Sequence, residues 1–128
     1  MKLSAEQVQL LREPHLAYVA TVNRDGSPQV TPVWVDTDGE AILFNTARGR
    51  LKCRNLERDP RVSITVVDAA NPVSRTVIAR GRAVLIEEGA LPHIDLLSRK
   101  YDHKPWVPVP GQTRVMVKVV PDRITTAD

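Results

Sequence analysis

Leu16-Ala17-Tyr18-Val19-Ala20-Thr21-Val22-Asn23-Arg24-Asp25-Gly26-Ser27-Pro28-Gln29-Val30-Thr31-Pro32-Val33-Trp34-Val35 (residues 16–35) reads as two strands joined by a turn. Leu16, Tyr18, Ala20 and Val22 recur at a period of two, the spacing of one face of a strand. Asp25-Gly26 then supplies the residues of a tight hairpin turn. Val30, Pro32 and Trp34 alternate with Thr31, Val33 and Val35 in a second strand, which Asp38-Gly39 closes before a third at residues 41–45. The expectation is an antiparallel meander of three strands. Pro28 and Pro32 cannot donate to a ladder, so exposed or bulged backbone is expected on the second strand.

Upstream, Ser4 followed by Gln7 forms a capping-box pattern for a helix over residues 5–12, which stops ahead of Pro14. Downstream, residues 46–58 read as a short helix ended by Asp59-Pro60. Strands at 62–68 and 76–87 flank Asn71-Pro72. Leu91, Ile94 and Leu97, with Leu96 and Tyr101 nearby, have helical spacing, and a Pro-rich loop at 104–111 precedes a last strand at 114–120. Six strands, mostly consecutive, with three short helices predict a mainly β (α+β) fold, an antiparallel barrel with flanking helices. At 128 residues the chain is expected to form a single domain over 1–128.

Bulk composition narrows the class. An apolar fraction of 42% and a charged fraction of 26% are ordinary for a globular protein. No apolar run reaches the roughly 18 residues of a membrane span, and the N-terminus enters a polar helix instead of a signal-peptide core. A cytoplasmic protein is expected. Cys53 is alone, so it has no disulfide partner within the chain and reads as a small core thiol. The net charge of +3 is Arg-rich, and guanidinium favours planar oxyanions such as phosphate and carboxylate.

Position sharpens that charge. Phe44-Asn45-Thr46-Ala47-Arg48-Gly49-Arg50-Leu51-Lys52-Cys53-Arg54-Asn55-Leu56 runs from a strand into a helix start loaded with cations. At about 100° per residue Arg48, Lys52 and Asn55 share a narrow arc, while Cys53 and Leu56 lie on a neighbouring arc that can face the core. Free N–H groups at the helix start, the Thr46 hydroxyl and nearby Lys and Arg make a phosphate site. The alternative is a helix end with solvated charges. The spacing matches neither a Walker A loop nor a Gly-x-Gly-x-x-Gly turn.

These segments, with the hairpin at 20–30, Pro32-Val33-Trp34, Asn55-Leu56-Glu57-Arg58-Asp59-Pro60-Arg61-Val62 and Ala79-Arg80-Gly81-Arg82-Ala83, resemble the pyridoxamine 5'-phosphate oxidase-like split β-barrels. The resemblance covers well over half the chain and is nearest the coenzyme F420-dependent reductase branch. It implies that Thr46, Arg50 and Lys52, with Asn45 and Arg48 beside them, hold the cofactor phosphate. Gln29, Thr31, Pro32, Val33 and Trp34 would lie along the tricyclic ring. It also implies a homodimer in which Ser74, Arg75 and Thr76 of the partner close each site. Where the vitamin-synthesising oxidases carry an early Arg and a late Lys on the second strand, this chain has Gln29 and Trp34, and no Arg-rich segment follows Arg123. F420 is therefore the implied cofactor, with FMN as the alternative on the same phosphate logic.

The implied activity is hydride transfer from reduced deazaflavin to an unsaturated or quinone-like substrate, with Tyr101 and Trp106 as candidate walls of the substrate pocket. A flavoprotein oxidoreductase of the FMN type, or a carrier that binds a planar anion without turnover, are the competing readings. No Gly-x-Ser-x-Gly elbow is present, as suits a protein whose cofactor carries the chemistry. His15, His93 and His103 lie on three elements without carboxylates at metal-ligand spacing, so no metal site is expected and the three are read as surface or loop residues. Dispersed Arg and the absence of a stacking platform argue against nucleic acid as a partner. A dimer is also expected on physical grounds, because the Val-rich segments 62–67 and 76–86 would leave apolar faces uncovered.

Overall fold

In the computed structural model, which describes residues 2–126, the first helix, α1 (Ala5–Arg12), begins as its sequence requires. Ser4 Oγ accepts from Gln7 N at 3.1 Å, and Gln7 Oε1 accepts from Ser4 N at 2.8 Å, so two otherwise orphaned donors are satisfied. Leu10 and Leu11 are buried on the inner face of α1.

The strands are β1 (Ala17–Val22), β2 (Pro28–Val33), β3 (Val35–Thr37), β4 (Ile42–Ala47), β5 (Arg61–Val67), β6 (Thr76–Ile86) and β7 (Arg114–Thr125). Two further helices, α2 (Leu51–Arg58) and α3 (Ala90–Asp102), complete the chain. All strand pairs are antiparallel, in the order β2-β1-β5-β6-β7-β4-β3. The described residues form seven strands, not six. The expected second strand is broken at Trp34, so that β2 pairs with β1 while β3 pairs with β4 at the opposite edge.

That break replaces the expected three-strand meander. β4 does not follow β2 in the sheet; it lies between β3 and β7. Because Trp34 alone separates strands on opposite edges, the sheet must curl until those edges approach, giving a split half-barrel. The interior is mostly aliphatic, with Val19, Val35, Ile42, Ile64, Val66, Val77, Val115, Val117 and Val119 fully buried around the aromatic ring of Phe44. Buried methyl and methylene groups on this scale supply the main drive for folding.

The face of β1 read from period two is the outer one. Ala17, Val19 and Thr21 point into the barrel, while Leu16 and Tyr18 are exposed. Small Ala and Thr on the inner side made the outer, larger residues the stronger signal. A similar shift occurs on α3, which buries Ala90, His93, Ile94, Leu97 and Ser98 and leaves Leu91 and Leu96 exposed. His93 is therefore a buried residue and not a surface or loop one. Cys53 lies in the core with Leu56, where burial pushes its thiol pKa up.

The turns follow the local chemistry. Arg24-Asp25-Gly26 closes β1 on β2, with Gly26 at φ +88° and Asn23 N donating to Ser27 O at 2.8 Å. Asp38 Oδ1 accepts from Glu40 N and Ala41 N at 2.9 and 2.7 Å between β3 and β4. The segment read as a helix from residue 46 is instead strand through Ala47, a turn with Gly49 at φ +91°, and helix only from Leu51.

β7 continues five residues past the expected end at Val120, through Pro121. A bulge between Arg80 and Gly81 in β6 accommodates it, with Gly81 opposite Pro121. A Cβ on Gly81 would lie 1.9 Å from the Val120 carbonyl oxygen, a backbone atom with no room to yield. Gly81→Ala is therefore expected to cost about 3 kcal/mol or more, above the usual range for overpacking. Gly26→Ala, where a Cβ would meet nothing and only the positive φ is strained, is expected to cost about 1 kcal/mol. Urea unfolding of the two variants checks the order, and equal losses would show that the bulge relaxes.

Candidate cofactor-phosphate cleft

The turn at Gly49 brings the N-terminus of α2 against the C-terminal half of β4. Arg50 is its N-cap and offers no side-chain cap, and the first intrahelical bond is from Arg54 N to Arg50 O at 3.0 Å. The N–H groups of the first turn therefore lack intrahelical acceptors and present a partial positive charge. Arg50 and Lys52 from this helix start border a cleft of about 290 Å³, lined also by Leu16, Pro32, Val33, Trp34, Asn45, Thr46, Ile94, Leu97, Trp106 and Arg114.

Three cations and no carboxylate line this cleft. Lys52 is half-buried, and its pKa is lowered first by burial and then by Arg50 and Arg114. The pKa of buried Arg114 is lowered by burial and by Arg50. Mutual repulsion of this kind is costly without a counter-charge. Thr46, only 2% exposed, has a hydroxyl without a hydrogen-bond partner among the described residues. The indole N–H of Trp106 is likewise buried and without a partner among the described residues. Unmet donors and unneutralised cations in one cleft suit an oxyanion.

Arg114 is held in place from several sides. Its Nε donates to Asn45 Oδ1 at 2.9 Å, one terminal nitrogen donates to Gln112 Oε1 at 3.2 Å, and the guanidinium lies 5.1 Å from the centre of the Trp106 ring. Trp106 is itself pinned through its backbone N–H, which donates to Asp95 Oδ1 at 2.9 Å. Across the cleft Trp34 stacks on Tyr101, centroids 5.5 Å apart and planes at 13°. The Tyr101 hydroxyl donates to His15 O at 2.5 Å and accepts from Val35 N at 3.1 Å. Burial raises its pKa to about 12, so it stays protonated.

Of the residues anticipated from sequence, Pro32, Val33, Trp34, Asn45, Thr46, Arg50, Lys52 and Trp106 meet in this cleft. Tyr101 backs Trp34 and is not a lining residue. Arg48 turns away to Glu57 and Glu87, at 2.6 and 3.0 Å. Asn55 is buried under α2, donating to Thr21 Oγ1 and Asn23 Oδ1, because the helix starts later than its sequence suggests. Gln29 accepts from Thr21 Oγ1 at 3.3 Å, and the Thr31 hydroxyl is buried without a partner among the described residues. Ser74, Arg75 and Thr76 line a different recess with Ser4, Gln7 and Leu10, where Arg75 pairs with Asp68 and Glu13.

Sequence reasoning missed Arg114, Ile94 and Leu97. Nothing in spacing links residue 114 to residue 46. The link is the β4–β7 ladder, which sets Thr46 opposite Val115 and Ala47 opposite Arg114.

The comparisons agree with this architecture. A solved structure named F420 reductase shares 32% identity with the chain, over 91% of this chain and 94% of that one, at a TM-score of 0.80. The conserved hypothetical protein Rv2991 from Mycobacterium tuberculosis superposes equally well, with a TM-score of 0.80 and 26% identity over 100% of this chain and 86% of that one. General Stress Protein 26 from Bacillus anthracis, at 19% identity over 96% and 92% of the two chains and a TM-score of 0.73, shares the fold. The family profile described as pyridoxamine 5'-phosphate oxidase matches residues 3–126. The chain thus belongs to the pyridoxamine 5'-phosphate oxidase-like family of split-barrel oxidoreductases.

Proposed function

We propose that the cleft holds the phosphate of coenzyme F420 and that the protein is an F420H2-dependent reductase acting on an unsaturated or quinone-like organic substrate. The observation that carries this reading is the set of Arg50, Lys52 and Arg114 in one cleft without a carboxylate, beside the unpartnered Thr46 hydroxyl. A phosphate there would accept from Thr46 and the first-turn N–H groups of α2 while neutralising the cations. The similarity to an F420 reductase favours deazaflavin over FMN.

Bound there, a reduced deazaflavin supplies the hydride. The residues of the chain bind, orient and shield. Pro32, Val33 and Trp34 offer an apolar wall with few competing polar groups, the Trp34–Tyr101 stack keeps that wall rigid, and Trp106 limits the cleft on the other side.

We further infer a homodimer. The segments around Val62, Ile64 and Val66 are covered within the chain, but Tyr18, Val30, Val84 and Val120 remain exposed on the strands, Val30 to 61%. Pairing of these faces would remove apolar surface from water. Sedimentation at micromolar concentration is expected to give twice the mass of the chain, and a single-chain mass would remove the dimer from the proposal.

Lys52→Ala is expected to weaken F420 binding, followed by fluorescence titration, by roughly ten- to a hundred-fold, the value of one charge-assisted contact. Arg54→Ala removes an exposed charge from the same helix and should change affinity by less than about two-fold. Arg58 is unsuitable as that control, since it binds the Val22 carbonyl and Asn55. Equal losses at positions 52 and 54 would reduce the site to general electrostatics. Tighter binding of FMN than of F420 would reassign the cofactor. Binding of F420H2 without its oxidation by any quinone acceptor would leave a carrier.

A further inference from the structure

We propose that His93 is a positioning residue for the anion site, because Arg114 keeps its place only while His93 is neutral with its proton on Nε2. The proposal rests on the reading of the cleft as a phosphate site.

Asn45 links the two residues. Its Oδ1 accepts from Arg114 Nε at 2.9 Å, and its Nδ2 donates to Ala90 O at 3.0 Å and to His93 Nδ1 at 3.0 Å. Both flanking partners are unambiguous, since a guanidinium only donates and a backbone carbonyl only accepts. They fix the amide with its oxygen toward Arg114 and its NH2 toward α3. His93 Nδ1 must then be an acceptor, and the ring proton sits on Nε2, which is buried without a partner among the described residues.

Protonation of His93 would set an N–H at Nδ1 against the N–H of Asn45. The amide can relieve that clash by turning over, but its NH2 would then face the guanidinium and its oxygen the Ala90 carbonyl. Both of those bonds would be lost. Among the described residues Arg114 would keep Gln112 as its one hydrogen-bond acceptor, beside its contact with the Trp106 ring, and the cation would be less firmly ordered in the cleft.

The surroundings hold His93 neutral. It is 9% exposed, and burial is the largest influence lowering its pKa. The charged groups facing it are Asp36 on β3, which opposes that shift, and Lys100 on α3, which adds to it; Arg114 on β7 is reached through Asn45. Lys100 is fixed by donating to Leu11 O and Val35 O, both at 2.6 Å, although burial lowers its own pKa to about 8. For a histidine with a depressed pKa the neutral form prevails through the neutral range. The relay therefore holds through the neutral range and fails only as pH falls through the depressed value, below the ordinary histidine range.

The experiment compares the wild type with His93→Asn, whose side-chain oxygen replaces Nδ1 as acceptor and cannot take a proton, and His93→Ala, which removes the acceptor. In the ligand-free proteins, 15N NMR of the imidazole and of Arg114 Nε–H is followed against pH. The expected result is an Nε2–H tautomer at neutral pH, with the Arg114 Nε–H signal moving at the His93 midpoint in the wild type and static in His93→Asn. FMN and F420 titrations at each pH then test the link to binding. Titration of the ligand itself, such as the monoester phosphate of FMN with a second pKa of about 6, is common to all three proteins and cancels in the comparison. His93→Asn is expected to retain affinity at acid pH better than the wild type, by roughly three- to ten-fold, and His93→Ala to bind more weakly at neutral pH. An Arg114 signal indifferent to His93 titration, or wild-type acid sensitivity in His93→Asn, would overturn the relay. If neither cofactor binds any of the proteins, the phosphate reading fails while the NMR result still judges the relay.

Discussion

One residue, Trp34, joins strands that pair at opposite edges of the sheet. A flat sheet of seven strands would place those edges some 30 Å apart at the usual spacing of about 4.8 Å, far beyond the reach of a single residue. The sheet must therefore curl, and the aliphatic side chains on its concave side become a shared interior. The seam left where the two edges meet is also where the cleft forms, so Pro32, Val33 and Trp34 line it as a consequence of closure.

Closure explains why the site is assembled from distant parts of the chain. β4 supplies Asn45 and Thr46, the helix after it supplies Lys52, and β7 returns beside β4 to add Arg114. α3 covers this junction and contributes Ile94 and Leu97 to the wall. Rigid elements thus carry the polar groups, and the loop bearing Trp106 is tied back to α3 through Asp95. Such preorganisation lowers the ordering that a ligand would otherwise have to impose.

Electrostatics set the character of the cleft more than shape does. Several cations elsewhere are paired: Arg48 with Glu57 and Glu87, Arg61 with Asp59, Arg75 with Asp68 and Glu13. In the cleft the cations are left facing one another, and burial first, with this repulsion added, lowers the pKa of Lys52 and Arg114. Cations gathered in a cleft without a carboxylate are the arrangement that an anionic ligand would compensate.

By itself the sequence determined what depends on neighbours along the chain. The capping box at Ser4, the Gly26 and Gly39 turns, a helix through Leu91, Ile94 and Leu97 and a cationic strand-to-helix segment through Thr46, Arg50 and Lys52, though not where that helix begins, follow from short-range spacing and φ preference. Only tertiary structure decided which residues face one another across that spacing. The break at Trp34 looks like continued alternation, since Val33 and Val35 are both buried but in strands on opposite edges. The extension of β7 past Pro121 depends on a bulge in β6 about 40 residues earlier. Arg114 and His93 gained their places because ladder pairing and helix docking bring remote segments within hydrogen-bond distance, and no local pattern encodes that proximity.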